Sequence, residues 1–162
     1  QAIADVPDFP RPGILFRDIA PLLRSHFDST MKVLDALLTE QEWSEIDALA
    51  GIESRGFILG AALAMRRDKG FVLIRKQGKL PPPVVDIAYA LEYGSGVLEM
   101  QRGGGRLLLI DDVLATGGTM TAAADLCQRA GYHIQALAAL IDLNLVQNYS
   151  WRSLRLRAAI NY

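Results

Sequence analysis

Residues 107–119 read LLLIDDVLATGGT, an apolar run that ends in two acids and continues into a loop of small and hydroxyl residues. In doubly wound α/β sheets, ligands bind outside the carboxyl ends of the strands, where a glycine-containing turn offers backbone N–H groups and a helix N-terminus to a phosphate. The hydroxyls of Thr116 and Thr119 add donors to this turn. The carboxylates of Asp111 and Asp112 would repel a phosphate, but they can accept hydrogen bonds from vicinal hydroxyls such as those of a ribose. The segment therefore predicts a ribose 5-phosphate site, with candidate residues Asp111, Asp112, Ala115, Thr116, Gly117, Gly118 and Thr119.

The order of these features matters more than any one of them. A pair of acids can simply end a strand, and two glycines can simply make a turn. The spacing is neither that of the G-x-G-x-x-G dinucleotide fingerprint nor that of the P-loop, whose lysine is missing. An apolar strand, two acids, a small-residue loop and a helical pattern in this order favour a phosphate and ribose site.

The surrounding sequence predicts an α/β fold. Between about residues 30 and 143, short apolar runs alternate with helical patterns, which is typical of βαβ units and a mostly parallel sheet flanked by helices. The runs predict strands at 47–52, 71–75, 106–112 and 134–140, and the helical patterns predict helices at 57–67 and 119–130. A further helix is expected to begin after a cap at Asp28 or Ser29. Residues 85–101 alternate with period two around a glycine turn, which predicts a hairpin outside the parallel rhythm.

Composition limits the classes of protein that remain. A chain of 162 residues with 51% hydrophobic and 22% charged residues fits one compact domain. With 17 Lys and Arg against 18 Asp and Glu, no global basic field would gather nucleic acid or a membrane surface. The longest apolar-rich stretch, 134–146, is too short for a membrane span. The single Cys127 excludes an intrachain disulfide and favours a reducing compartment, so we expect a cytoplasmic protein.

Four further motifs agree in order and spacing with one known family. They are FPRPGILFRDI at 9–19, GIESRGF at 51–57, VLIRKQGKLP at 72–81 and LEYG at 91–94. Together with the acid-acid loop, they resemble the adenine phosphoribosyltransferases, a branch of the type I phosphoribosyltransferases, over about residues 6–143. The resemblance implies a single domain over 1–162, with an N-terminal hood at 1–27 that holds the base and a flexible β-hairpin at 84–101. It also implies transfer of the phosphoribosyl group of phosphoribosyl pyrophosphate (PRPP) to adenine, which gives AMP and pyrophosphate.

The resemblance assigns roles to individual residues. Glu92 would handle the purine proton and Arg55 would also act in catalysis, while Tyr93 would cover the site. Pyrophosphate would be held by Glu53, Ser54, Arg55, Arg75, Lys76 and Lys79, and adenine by Leu15, Phe16 and Arg17. The family pattern further implies a cis peptide between Glu53 and Ser54, Mg²⁺ carried by the substrate rather than by direct protein ligands, and a homodimer.

The chemistry of these residue types is consistent with those roles. Arginine and lysine suit a polyanionic leaving group, and a carboxylate suits a purine that loses its N–H proton as it attacks. From pattern alone, however, Glu92 also fits a solvated strand face, Phe16 a core aromatic, and Lys76 and Lys79 a solvated loop.

Two other functions and two departures from the family stay open at the level of sequence. The same transfer to a 6-oxopurine, or a non-catalytic sensor of PRPP or nucleotides, would use the same fold. The glycines at 103–105 make an unusually short connection after the hairpin, and residues 144–162 match the family poorly. Arg152, Arg155 and Arg157 in this tail predict a solvated face rather than a site.

Overall fold

The structure is a computed structural model that describes residues 2–91 and 94–162. The chain divides into two compact units, Gln1–Val33 and Leu34–Tyr162. In the first unit, β1 (Ala4–Pro7) pairs antiparallel with β2 (Leu15–Asp18), and α1 (Ala20–Asp35) follows and continues into the second unit. The predicted hood, residues 1–27, falls inside the first unit.

The start predicted for the first helix was wrong. Asp28 and Ser29 lie inside α1, and the backbone leaves helical geometry at His26, where φ is −137° and ψ is 31°. Thr30 Oγ1 donates to the carbonyl of His26 at 2.9 Å, a side-chain bond that often bends helices. Because of this kink, the apolar periodicity in the second half of α1 resembled that of a separate helix beginning near Asp28.

The second unit is built on one eight-stranded sheet. Its elements in chain order are α2 (Glu40–Ser44), β3 (Ala48–Ile52), α3 (Arg55–Arg66), β4 (Gly70–Lys76), β5 (Val85–Leu91), β6 (Gly94–Met100), β7 (Arg106–Leu114), α4 (Gly118–Arg129), β8 (His133–Asp142), β9 (Ser150–Trp151) and β10 (Leu154–Asn161). The strand order is β5-β6-β4-β3-β7-β8-β10-β9. The five strands β4, β3, β7, β8 and β10 are parallel to one another. Strand β6 of the β5–β6 hairpin pairs antiparallel with β4, and β9 pairs antiparallel with β10.

Strand β7 lies at the centre of the sheet and is covered on both faces. Leu107 and Leu109 belong to the core cluster that contains Ala123 and Cys127 of α4. A Cβ added to Gly60 of α3 would lie 3.1 Å from Ile110 Cγ2, so the alternate side of β7 faces α3. Burial on both faces explains why this strand is a continuous apolar run rather than an alternating one. The predicted α/β class, with a mostly parallel sheet flanked by helices, is confirmed.

The sequence located most of the central strands and helices within two residues of their ends. It missed α2, the β1–β2 pair and the two C-terminal strands. The hairpin is antiparallel as predicted, but it is not separate from the parallel sheet, because Arg75 of β4 pairs with Glu99 of β6. The solvated face predicted for the tail was wrong at Arg157, which donates to the carbonyl of Leu37 and to Glu42, each at 2.9 Å. Arg152 and Arg155 are exposed.

The short glycine connection after the hairpin is tied to the end of α4. The N–H of Gly103 donates to the carbonyl of Ala130 at 3.0 Å, and the carbonyl of Gly105 accepts from His133 at 2.9 Å. The connection therefore leads directly into the β7–β8 pair. None of the helices among the described residues is long and apolar enough to cross a membrane.

Candidate active site

The predicted phosphate loop connects β7 to the N-terminus of α4. Gly117 is the N-cap of α4, with a φ of 83°, in the left-handed region. The loop lines a pocket of about 80 Å³ together with Asp111. All seven residues predicted for phosphate and ribose lie between the last four residues of β7 and the first two of α4: Asp111, Asp112, Ala115, Thr116, Gly117, Gly118 and Thr119. The free N–H groups of the first helical turn are therefore available to an anion.

The C-terminal tail, residues 144–162, packs on this loop. The sequence did not predict that contact. A Cβ added to Gly117 would lie 2.4 Å from Tyr149 Cε2, so the tyrosine ring is packed directly on the loop. The hydroxyl of Tyr149 is 2.7 Å from Thr121 Oγ1 in the first turns of α4. Trp151 Nε1 donates to Asp125 Oδ1 at 2.9 Å and fixes the tail further along the helix. No local motif marks Tyr149, because its partners lie about thirty residues earlier in the chain.

The acid pair lies at the end of β7 with unused accepting capacity. The N–H of Asp112 donates to Asp111 Oδ1 at 2.9 Å, and Arg55 Nε lies 2.7 Å from Asp112 Oδ2 in an ion pair. Apart from this ion pair, the buried Oδ2 has no hydrogen-bond partner in the described part of the chain. Burial and the neighbouring Asp112 carboxylate raise the pKa of Asp111 well above its usual value. A carboxyl group keeps oxygens that can accept a hydrogen bond from a ligand hydroxyl whether it is ionised or protonated, so both acids remain candidate ribose contacts.

A close backbone approach brings the Glu53–Arg55 turn against the acid pair. A Cβ on Gly56 would lie 3.0 Å from the carbonyl of Ile110 and 3.1 Å from Asp111 Oδ1, so a larger residue would push the start of α3 and the end of β7 apart by a few tenths of an ångström. The predicted cis peptide between Glu53 and Ser54 is present in the turn. Two motifs that are more than fifty residues apart in the sequence therefore form one site.

Two of the cations predicted for pyrophosphate, Arg75 and Lys79, are held by the carboxylate of Glu53, whereas Arg55 forms its ion pair with Asp112. The Glu53 oxygens accept hydrogen bonds from Lys79 Nζ at 2.6 Å, from the backbone N–H of Lys76 at 3.0 Å and from Arg75 Nε at 3.3 Å. Burial alone would raise the pKa of Glu53, but these hydrogen bonds lower it from 4.5 to about 2. Lys76 contributes its backbone to this cluster, while Ser54 is exposed. The geometry gives Glu53 the capacity to orient Arg75 and Lys79, rather than to face an anion with its own negative charge.

The charge of Glu53 is expected to make stability depend on pH. Glu53→Gln should lower the free energy of unfolding at pH 7 by about 2 kcal/mol, because a hydrogen bond to a charged group contributes roughly 1.5–3 kcal/mol. The folded-state pKa is depressed, so this stabilisation is present above the ordinary pKa of 4.5 and is lost as the pH falls through about 2. Denaturant unfolding of the parent and the variant between about pH 7 and pH 3 should therefore show a gap that narrows with acid.

The control for this measurement is Asp86→Asn, which changes an exposed carboxyl on β5. It should leave stability within about 0.5 kcal/mol of the parent. A gap between parent and Glu53→Gln that stays constant with pH would contradict the charge-based explanation.

A second carboxylate beside this cluster was not singled out from the sequence. Glu99 of β6 is only 3% exposed, and its oxygens accept backbone N–H bonds from Gly78, Lys79 and Leu80. In the sequence it has the alternating position of an ordinary strand residue. Its partners lie about twenty residues earlier, in the loop after β4, so local pattern gave no signal.

The residues predicted to hold the base lie in the first unit. Leu15, Phe16 and Arg17 are consecutive in β2. The Phe16 ring meets Phe9 edge to face, with centroids 5.1 Å apart, and the Arg17 guanidinium forms an ion pair with Asp5. Leu15 is 48% exposed. An aromatic ring and an exposed apolar side chain beside a guanidinium fit the chemistry expected for purine binding.

Two predicted residues, Glu92 and Tyr93, lie outside the described residues. The strands on either side are described, and the end of β5 lies beside the phosphate loop. The carbonyl of Ala90 would be 3.6 Å from a Cβ added to Gly118. The roles of Glu92 and Tyr93 stay predictions.

Comparison with known proteins agrees with this geometry. The family model described as phosphoribosyl transferase domain matches residues 32–145. The chain is 48% identical over 163 residues to an adenine phosphoribosyltransferase of Hydrogenovibrio crunogenus, covering 100% of this chain and 95% of that protein. The chain belongs to the adenine phosphoribosyltransferase family.

Solved structures of adenine phosphoribosyltransferases share the fold over nearly the whole chain. The structure from Rhodothermus marinus is 40% identical, with a TM-score of 0.87 over 99% of this chain and 94% of that one. The structure from Saccharomyces cerevisiae, complexed with adenine and an imino-altritol bisphosphate, is 32% identical, with a TM-score of 0.88 over 98% of this chain and 94% of that one. The match includes the tail, which the sequence motifs left out.

Proposed function

We propose that this chain transfers the 5-phosphoribosyl group of PRPP to adenine and releases AMP and pyrophosphate. The observation that carries the proposal is the junction of two clusters at the end of β7. The acid pair and phosphate loop lie on one side, and the turn at Glu53–Arg55 with its cations lies on the other. Such a junction accommodates a ribose with a phosphate at one end and a polyanionic leaving group at the other.

The reaction forms a bond between N9 of adenine and C1′ of the ribose and breaks the bond from C1′ to a pyrophosphate oxygen. In the proposed site, the amides of 115–119 bind the 5-phosphate, and Asp111 and Asp112 accept hydrogen bonds from the ribose hydroxyls. The backbone of Ser54 and the side chains of Arg55, Arg75, Lys76 and Lys79 hold the leaving pyrophosphate. Their positive charge stabilises the negative charge that develops on the leaving oxygen.

The base is the second substrate. We assign its binding to Leu15, through main-chain groups, to Phe16, through ring packing, and to Arg17, through a hydrogen bond to a ring nitrogen. Glu92 accepts the proton that adenine loses from its imidazole ring, and Tyr93 covers the site. A carboxylate in this position would raise the rate by about 100- to 10,000-fold, the usual range for general base catalysis.

Mg²⁺ is proposed as the cofactor, carried by the oxygens of PRPP. Among residues 2–91 and 94–162, no three His, Cys, Asp or Glu side chains come together as a metal site. The proposal rests on the chemistry of Mg²⁺, which commonly binds through substrate phosphates and one or two carboxylates rather than in an all-protein cage. When bound, the ion would neutralise charge on the pyrophosphate as it leaves.

We also propose that the protein is a cytoplasmic homodimer. The support for self-association is a set of exposed apolar side chains on neighbouring elements, Ile58 and Met65 of α3 and Leu73 of β4, which are 45%, 82% and 40% exposed. Exposed apolar patches of this kind often mark protein interfaces. The free and buried thiol of Cys127 is compatible with a reducing compartment.

The proposed reaction is tested by incubating the purified chain with PRPP and Mg²⁺ and, in turn, adenine, hypoxanthine, guanine and orotate. Chromatography of the products should show AMP and pyrophosphate in equal amounts from adenine, and no nucleotide without PRPP. Turnover of hypoxanthine or guanine with adenine inert would establish the 6-oxopurine alternative. Binding of PRPP without turnover of any base would indicate a sensor and overturn the proposal.

A further inference from the structure

The loop between β4 and β5 is folded around a buried negative charge. Glu99 Oε1 accepts the N–H groups of Lys79 and Leu80, each at 2.7 Å, and Glu99 Oε2 accepts the N–H of Gly78 at 2.9 Å. Successive amides that converge on one anion form the kind of concave site in which proteins bind phosphates. In this loop the anion is the carboxylate of Glu99 rather than a bound phosphate. The amide of Gly78 is the main cause of a lowered pKa at Glu99, with those of Leu80 and Lys79, so the carboxylate is charged at neutral pH.

The same loop carries cations of the proposed pyrophosphate site. Lys79 donates its backbone N–H to Glu99 and extends its ammonium group to Glu53. Arg75 Nη1 lies 3.4 Å from the carbonyl of Lys79, and Arg75 is the cross-strand partner of Glu99. Glu99 thus holds the main chain of residues 78–80, while Glu53 holds the ends of the Arg75 and Lys79 side chains.

The other contacts that hold the loop are polar as well: the N–H of Gln77 donates to the carbonyl of Val97 at 3.0 Å, and Gln101 Nε2 donates to the carbonyl of Pro81 at 3.3 Å. Residues 76–79 are exposed, and a Cβ on Gly78, whose φ is 83°, would meet no atom within 4 Å. A loop without apolar packing depends on its polar contacts for a single conformation. Without the charge of Glu99, three amides would lose their common acceptor, and the main chain that carries Lys79 would lose these hydrogen bonds.

We propose that Glu99 is a positioning residue for the pyrophosphate end of PRPP, an inference that rests on the proposed function. It touches no substrate and acts through the backbone of residues 78–80. The proposal predicts different effects on binding at the pyrophosphate end and at the 5-phosphate end of PRPP. Removing the charge of Glu99 should weaken binding of pyrophosphate and PRPP but should leave the 5-phosphate and base sites intact.

The test compares Glu99→Gln with the parent. Glutamine keeps the length of the side chain but places an NH₂ group against one of the amide donors. We expect the KM for PRPP and the KM for pyrophosphate in the reverse reaction to rise by about 10- to 100-fold, the effect of misplacing a binding group by about 1 Å. The KM for adenine and the calorimetric affinity for AMP, which lacks the pyrophosphate group, should stay within about twofold of the parent.

Two further variants complete the test. Asp86→Asn changes the exposed cross-strand neighbour of Glu99 on β5 and should leave all four constants unchanged. Gly78→Ala disturbs the same loop from its open side, without a clash in the core, and should reproduce the selective loss even if Glu99→Gln does not fold.

The outcomes distinguish this proposal from the proposed function. If pyrophosphate and PRPP constants of a folded Glu99→Gln protein stay within about twofold of the parent, or if AMP affinity falls equally, Glu99 is a purely structural residue and the proposal is wrong. If the parent itself makes no AMP, the proposed function fails instead. Calorimetry with pyrophosphate then still reports whether Glu99 orders the loop.

Discussion

Replacing Gly117 with alanine is expected to reduce kcat/KM for PRPP, and the affinity for AMP, by at least about 100-fold, because the phosphate loop would have to move. Gly117 has a φ of 83°, and a Cβ there would lie 2.4 Å from the ring of Tyr149. Left-handed backbone at a non-glycine residue costs of order 1–3 kcal/mol, and the contact with a buried ring adds to that cost. Steady-state kinetics and AMP calorimetry measure the effect.

The matched control is Gly105→Ala. Gly105 also has a positive φ, 111°, but a Cβ there would come no closer than 3.4 Å to Asp47, which is outside the proposed site. This variant should lose stability through backbone strain alone and should bind AMP like the parent. The loop assignment is wrong if Gly117→Ala binds AMP as tightly as the parent does.

Glu92→Gln is expected to lower the single-turnover rate of AMP formation by about 100- to 10,000-fold, the range that a general base contributes. Glutamine keeps the shape and hydrogen bonding of the side chain but cannot accept the purine proton. The affinity for PRPP should barely change, because the proposed ribose and phosphate contacts belong to Asp111–Thr119. A parallel PRPP titration separates the two effects.

The control for this variant is again Asp86→Asn, an exposed carboxyl six residues earlier in the sequence, which should leave the rate unchanged. If Glu92 had no role in proton transfer, Glu92→Gln should change the rate of AMP formation as little as Asp86→Asn does. Substitutions at exposed positions usually change free energies by less than about 0.5 kcal/mol. A rate for Glu92→Gln within about threefold of the parent would return Glu92 to the solvated face of its strand.

The central fold was predictable because its signals are local. Strands β3, β7 and β8 are short apolar runs that are mostly buried on both faces, and helices α3 and α4 have a clear apolar periodicity. The phosphate loop was predictable for the same reason, since a strand end, a glycine turn and a helix start lie within thirteen consecutive residues. The sequence did not predict the ion pair of Arg55 with Asp112, which depends on two such motifs meeting at neighbouring strand ends.

What the sequence missed depends on contacts between distant residues. Strand β10 alternates leucine and arginine, which is the pattern of a solvated face, yet Arg157 is held by Glu42 and the carbonyl of Leu37. Glu99 has the pattern of a surface strand residue, but a loop twenty residues earlier folds over it and donates three amides. Tyr149 supports Gly117 from the far end of the chain. None of these environments is encoded within a short window.

The most direct test of the site is a crystal structure of the chain with AMP, pyrophosphate and Mg²⁺. We expect the 5-phosphate on the amides of 115–119, the ribose hydroxyls on Asp111 and Asp112, and pyrophosphate beside Arg75 and Lys79. Glu99 should still be bound to the amides of 78–80. AMP bound with its phosphate away from the β7–α4 loop, or pyrophosphate bound away from the loop after β4, would contradict the proposed site.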